Sequence, residues 1–118
     1  MTGTGSSREY LQGIPELLVL RLLSDREMYG YEIVRGIRVR SGGQMKFGEG
    51  VIYPLLHSMQ KRRLLAVRRA TCNGRPRIYY RLTTTGRKKL KEKVSHWNRV
   101  TGAIHEFLDG DSSEQTAN

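Results

Sequence analysis

His57, His96, His105 and Cys72 are the residues of this 118-residue chain best able to hold a metal or act as a nucleophile. Their spacing supports neither role. His96 and His105 stand nine residues apart, on different faces of any helix, and no paired His, Cys and acid spacing fits zinc. Cys72 is a lone thiol at a turn signal, where a small turn residue explains it more simply than a redox sensor does. No glycine-rich phosphate loop or Ser-His-Asp order appears. The chain is therefore not expected to be an enzyme or to carry a cofactor. With one cysteine it has no intrachain disulfide, which fits an intracellular, cytoplasmic setting. No apolar run approaches membrane-spanning length, and MTGTGSSRE lacks signal-peptide character.

The chemistry on offer is ionic. Lys and Arg number 21 against 11 acids, for a net charge of +10. The excess is concentrated: from Lys61 to Lys93 stand 13 Lys or Arg and one acid, Glu92, a balance of +12. Such a block favours phosphate-rich partners, nucleic acid first among them. An anionic membrane surface competes, but the block is not one amphipathic helix.

The element that would lie against nucleic acid runs from Gly48 to Arg63. Ile52, Leu55, Leu56 and Met59 fall at i, i+3, i+4 and i+7, one apolar stripe of a helix. The other face carries Gly50, Pro54, His57 and Lys61, with Tyr53 on its flank. Glu49 suits the positive end of the helix dipole, and Lys61, Arg62 and Arg63 suit the negative end. A helix that lies against phosphates would look like this, and so would a surface helix with a solvated face. Pro54 cannot bond to the carbonyl of Gly50, so a kinked or partly 3₁₀ first turn is expected.

Around it, Met1 to Arg8 is Gly, Ser and Thr with little to bury and reads as a disordered arm. Ile14 to Ser24 reads as a helix apolar nearly all round, with Pro15 early in it. Tyr29 to Arg40 reads as a second helix. Gly30, Ile33, Val34 and Ile37 form its inner stripe, and Arg35, Arg38 and Arg40 face outward. Leu65 to Thr71 and Ile78 to Leu82 alternate as strands, and Asn73-Gly74 between them is a strong hairpin signal. Thr83 caps a last helix, about 37 Å long at 1.5 Å per residue, from about Thr84 to Leu108. Its Leu90, Val94, Trp97, Thr101, Ile104 and Leu108 form a heptad seam, widened by Val100, Ala103 and Phe107. So small a domain cannot cover it, and a second copy is the expected partner. Part of it could instead fold back on its own domain. The reading is mainly α with a small β-hairpin: a winged helix-turn-helix at 10–83 after a disordered arm at 1–9, a long C-terminal dimerisation helix at 84–108, and an acidic, polar, disordered tail at 109–118.

Gly30-Tyr31-Glu32-Ile33, Gly50-Val51-Ile52-Tyr53-Pro54-Leu55-Leu56, Gly74-Arg75-Pro76-Arg77 and Tyr79-Tyr80-Arg81-Leu82-Thr83 with Gly86 occur in that order. On these motifs the chain resembles the PadR family of bacterial transcriptional regulators, in its smaller form with a single C-terminal helix, over roughly Leu11 to Leu108. It departs from the pattern at Tyr29, where a histidine is common, at Gly48, where a serine cap is common, and at Val51, where a hydroxyl residue is common. The resemblance implies a homodimer on double-stranded DNA that usually represses transcription, often of a neighbouring transporter or detoxification gene. It also implies that a planar aromatic molecule could lie between paired tryptophans. DNA-side candidates are Tyr29, Tyr31, Arg35, Lys46, Glu49, Gly50, Tyr53, Pro54, His57, Lys61, Arg75 and Arg77. Dimer candidates are Ile14, Leu18, Leu90, Val94, Trp97, Thr101, Ile104 and Leu108, and effector candidates are Trp97, Val94 and Val100. A non-specific basic nucleic-acid-binding protein and a protein-interaction module are the alternatives.

Overall fold

The computed structural model describes residues 2–110, with side chains from Gly13 onward. Four helices and three strands follow in the order α1 (Thr2–Leu23), β1 (Met28–Tyr29), α2 (Gly30–Arg40), α3 (Glu49–Lys61), β2 (Leu65–Cys72), β3 (Arg75–Leu82) and α4 (Thr84–Leu108). The sequence reading starts α1 at Ile14 and leaves residues 1–9 as an arm. In the structure Pro15 lies inside the helix, not near its start. It is buried, and burial of the apolar residues around it in the chain supports the helix there. The expected polar tail lies outside the described residues from position 111 onward.

The core forms where the apolar stripes meet. Val19, Leu20 and Leu23 of α1, Ile33 and Ile37 of α2, and Ile52, Leu56 and Met59 of α3 are buried together with Leu64, Leu65, Tyr80 and Leu82. The periodicity of α2 and α3 therefore faces where expected. The expected tightening of the first turn of α3 is seen at the carbonyl of its cap. Gly48 O accepts from both Val51 N and Ile52 N at 3.0 Å, and α-helix continues through Pro54.

The wing is a three-stranded antiparallel sheet in the order β1-β3-β2, not a hairpin alone. Met28 pairs with Tyr80 and Tyr29 with Tyr79. The hairpin strands run further than expected, to a two-residue turn at Asn73 (φ 53°) and Gly74 (φ 78°) closed by Cys72 and Arg75. Two successive positive φ values are what a type I′ turn requires, and Asn-Gly supplies them at little cost. Pro76 pairs with Thr71, next to the closing pair, where an antiparallel ladder exchanges no bonds. β1 stops short of it, so its missing N–H leaves no neighbour unsatisfied.

α3 ends on a left-handed Arg63 (φ 64°), with Leu64 N donating to Met59 O and Arg63 N to Gln60 O, both at 2.9 Å. This stop turns the chain into β2 and aims the Leu64 carbonyl at the head of α4. There Thr83 N donates to Leu64 O at 3.1 Å, and the Thr83 hydroxyl donates to Arg63 O at 2.6 Å. The same Oγ1 accepts from Gly86 N at 3.0 Å as the helix cap.

Glu16 is one of the few charged residues of α1, yet it is only 8% exposed. Its carboxylate accepts from Arg62 at 2.7 and 3.3 Å and faces Lys93 Nζ at 3.4 Å, tying α1 to the end of α3 and the first half of α4. Burial alone would push its pKa up, but Arg62 and Lys93 outweigh burial and hold it below its ordinary 4.5. A lowered carboxylate stabilises the fold above its unfolded pKa and loses that contribution as pH falls through the folded value. Glu16→Gln should therefore cost about 1–2 kcal/mol at pH 7, since hydrogen bonds to a charged group are lost. In urea titrations the gap between variant and parent should close as pH is lowered from 5 to 3. A gap that persists at pH 3 would show that Glu16 acts by packing alone.

Candidate nucleic-acid interface

α3 turns its apolar stripe inward and leaves Gly50, Pro54, His57 and Lys61 in solvent. A Cβ built on Gly50 meets nothing within 4 Å, so the start of this face is open. Tyr53 lies at its edge, half-buried, with its ring across the first residue of α2. A methyl group on Gly30 would stand 2.6 Å from a Tyr53 ring carbon, so the approach of α2 to α3 depends on that glycine. Burial, and secondarily the Glu49 carboxylate, raise the Tyr53 phenol above 10. The hydroxyl therefore keeps its proton at neutral pH and can donate to an anion.

Between α3, the start of α2 and the wing lies an open groove of about 680 Å³. It brings together six of the twelve DNA-side candidates: Tyr29, Tyr31, Tyr53, His57, Arg75 and Arg77. Glu49, Gly50 and Lys61 are exposed along α3 outside it, as are Arg35 on α2 and Lys46 in the loop between α2 and α3. Pro54 instead lines a second groove on the far side of α3, with Glu16, Arg62 and Lys93. The exposed chemistry of the first groove is cationic and aromatic, which suits a phosphate backbone and base edges.

Several arginines, Arg40 of the outward-facing set among them, are already engaged. Arg40 and Arg21 hold Asp25 at 2.8 and 3.0 Å. Arg21 first, and Arg40 with it, lower that carboxyl. Arg62 is taken up by Glu16 and Arg68 by Glu27. Sequence reasoning missed Pro76 and Ile78, which line the groove beside Arg75 and Arg77. Their alternation on β3 was the available signal. It also missed the Glu27–Arg68 pair, which depends on the unread strand β1.

α4 divides into two parts. Leu90 packs on the core, while Trp97, Val100 and Thr101 are half-buried. Beyond them Ile104 is 50%, Leu108 70% and Phe107 84% exposed. Ile14 and Leu18 of α1 are half-buried, and Val94 is exposed beside a shallow groove with Arg21, Lys91, Asn98 and Arg99. That groove does not include Trp97 or Val100. Among the described residues no group of three or more His, Cys, Asp or Glu could hold a metal ion, and no helix is long and apolar enough to cross a membrane.

Comparison with known proteins agrees with this geometry. Residues 19–92 match the model of the "Transcriptional regulator PadR-like family". The chain is 31% identical over 85 residues to the transcriptional regulator Rv3488 of Mycobacterium tuberculosis, covering 72% of this chain and 77% of that protein. A PadR-like transcriptional regulator from Bacillus cereus superposes with a TM-score of 0.73 at 32% identity, over 85% of this chain and 96% of that one. A transcriptional regulator from Clostridium thermocellum superposes with a TM-score of 0.77 at 26% identity, over 85% and 98%. The open face of α3, the basic wing beside it and these matches lead to one assignment: the chain belongs to the PadR-like family of DNA-binding transcriptional regulators.

Proposed function

We propose that the protein works as a homodimer that recognises an inverted-repeat operator in double-stranded DNA and represses transcription from it. The observation that carries this reading is the groove that sets Tyr53 and His57 of α3 opposite Arg75 and Arg77 of the wing. A helix face and a wing aimed at one surface can place the helix in a major groove while the wing follows phosphates. Support for the dimer comes from the uncovered apolar end of α4, which a second copy would bury. Two equivalent α3 helices then require a two-fold symmetric site. The deciding experiment is selection of bound duplexes from a random pool. Enrichment of an inverted repeat, with affinity falling steeply with salt, is expected. Equal binding to all sequences would leave a non-specific nucleic-acid-binding protein. A reporter driven from the selected site tests the sign of regulation, and repression is expected.

Lys61→Ala and Arg77→Ala should weaken binding to specific and random DNA alike, each lowering the salt slope by about one. Tyr53→Phe should keep the fold and cost on the order of 1 kcal/mol of DNA affinity, the worth of one hydrogen bond. Anisotropy titrations at several salt concentrations check both. Full affinity in Tyr53→Phe and Tyr53→Ala together would remove Tyr53 from the interface.

A planar aromatic effector belongs to the same proposal. Paired α4 helices spread by Trp97 would leave a slot lined by Trp97, Val94 and Val100, where such a ligand stacks on the indoles. Titration with planar cationic dyes and phenolic acids should quench Trp97 and release DNA. Quenching without any change in DNA affinity would deny the slot a regulatory role.

A further inference from the structure

The wing carries an interleaved ladder of cations and aromatic rings. The register sets Tyr29 beside Tyr79, with ring centroids 5.7 Å apart at 74°, edge to face. Arg77, two residues before Tyr79 on the same strand face, lays its guanidinium carbon 4.2 Å from the centre of the Tyr29 ring. Across the hairpin Arg68 sits 4.7 Å from the centre of the Tyr79 ring. The two arginines end differently. Arg68 is pinned by both oxygens of Glu27, an ion pair that cancels its charge locally. Arg77 rests on a ring and opens onto the groove.

A guanidinium over an aromatic face keeps its N–H donors at its edge, available to a phosphate. Stacking also restrains a long side chain before any ligand arrives, so less ordering remains to be done on binding. Tyr29 is well placed to impose that restraint. It is held by the β1–β3 pairing, and its N–H donates to Glu32 Oε1 at 3.1 Å at the start of α2. We infer that Tyr29 is a positioning residue that acts on DNA through Arg77, holding the wing guanidinium ready for a phosphate without contacting DNA itself. This rests on the DNA-binding reading above and assigns a role to one residue within it.

A direct contact and a positioning role differ in salt dependence. Losing a contact removes a neutralised phosphate and flattens the slope, whereas losing preorganisation weakens binding with the slope unchanged. The full-length protein, Tyr29→Leu, Tyr29→Phe, Arg77→Ala and the Tyr29→Leu/Arg77→Ala double variant are titrated by anisotropy on the selected duplex across a salt series. Circular dichroism checks that each is folded. Tyr29→Leu should bind roughly two- to five-fold more weakly with the parental slope. Tyr29→Phe, which keeps the ring, should match the parent. The double variant should match Arg77→Ala alone, because the Tyr29 effect exists only through Arg77. Parental affinity in Tyr29→Leu, a flattened slope in it, or additive losses in the double variant would each overturn the inference. Should Tyr29→Leu lose its fold, Tyr29→Phe decides: a loss of affinity there points to a hydroxyl contact and overturns the positioning role. If the parent itself binds no duplex, the DNA-binding reading fails. If the parent binds and Tyr29→Leu binds equally well, only the role of Tyr29 fails.

Discussion

Gly86→Ala is expected to destabilise the protein by about 3 kcal/mol or more, at the upper end of what overpacking costs. The added Cβ would stand 2.2 Å from the Leu64 carbonyl oxygen and 3.2 Å from a Leu82 methyl. The first obstacle is backbone and cannot rotate away. That carbonyl already accepts from Thr83 N, so pushing it off breaks the cap of α4 as well as the packing beneath it. In a small domain of ordinary stability this is a large share of the total, and the melting temperature should fall by roughly 15 °C at fixed protein concentration. Gly102→Ala in the same helix is the internal control. Nothing lies within 4 Å of a Cβ there, and replacing an exposed helical glycine should stabilise by about 0.5–1 kcal/mol. Calorimetry on the two variants should show shifts of opposite sign. A melting temperature unchanged by Gly86→Ala would mean that the head of α4 is not seated on Leu64.

Ile104→Glu and Leu108→Glu should separate the proposed dimer without unfolding the chain. Both residues lie outside the buried core and are at least half exposed in the single chain. In a paired seam each copy would bury an unpartnered carboxylate, at about 3 kcal/mol per charge. Two symmetric charges would weaken association by on the order of 10⁴-fold. Light scattering should find a monomer with its helical circular dichroism intact, and operator affinity should collapse because each half-site is then bound alone. A variant that remains dimeric would place the interface elsewhere and end the heptad reading of α4.

These predictions also mark where sequence patterning is informative. Ile52, Leu55, Leu56 and Met59 were legible because a 3.6-residue period is a property of one helix, and the Asn-Gly turn because positive φ is a property of two residues. Gly86 could be read as part of a motif. Its reason, a carbonyl 22 residues earlier in the chain, is a tertiary fact. β1 escaped notice because two residues carry no alternation, and with it went the Tyr29–Tyr79 contact and the Glu27–Arg68 pair. The burial of Glu16 could not be read from the sequence, because its partners, Arg62 and Lys93, stand at the end of α3 and within α4. Of the candidate interface, the wing arginines and the α3 face could be read from residue type. Which arginines stay available could not, since neighbours such as Asp25 and Glu27 decide that.

The Glu16 cluster bears on how the proposed dimer would move. Because one carboxylate grips both the end of α3 and the early part of α4, these helices meet at a braced corner. The 15 residues of α4 beyond Lys93 then form a lever about 22 Å long, with the proposed DNA-reading helix fixed near its fulcrum. Tilting such a lever by ten degrees carries its far end through roughly 4 Å, most of one helical pitch. Read in the other direction, a modest slide of two paired far ends past each other becomes a small, definite rotation of each α3. An inverted repeat with fixed half-site spacing tolerates little such rotation, so a displacement made far from the DNA would be felt at the operator as a loss of fit.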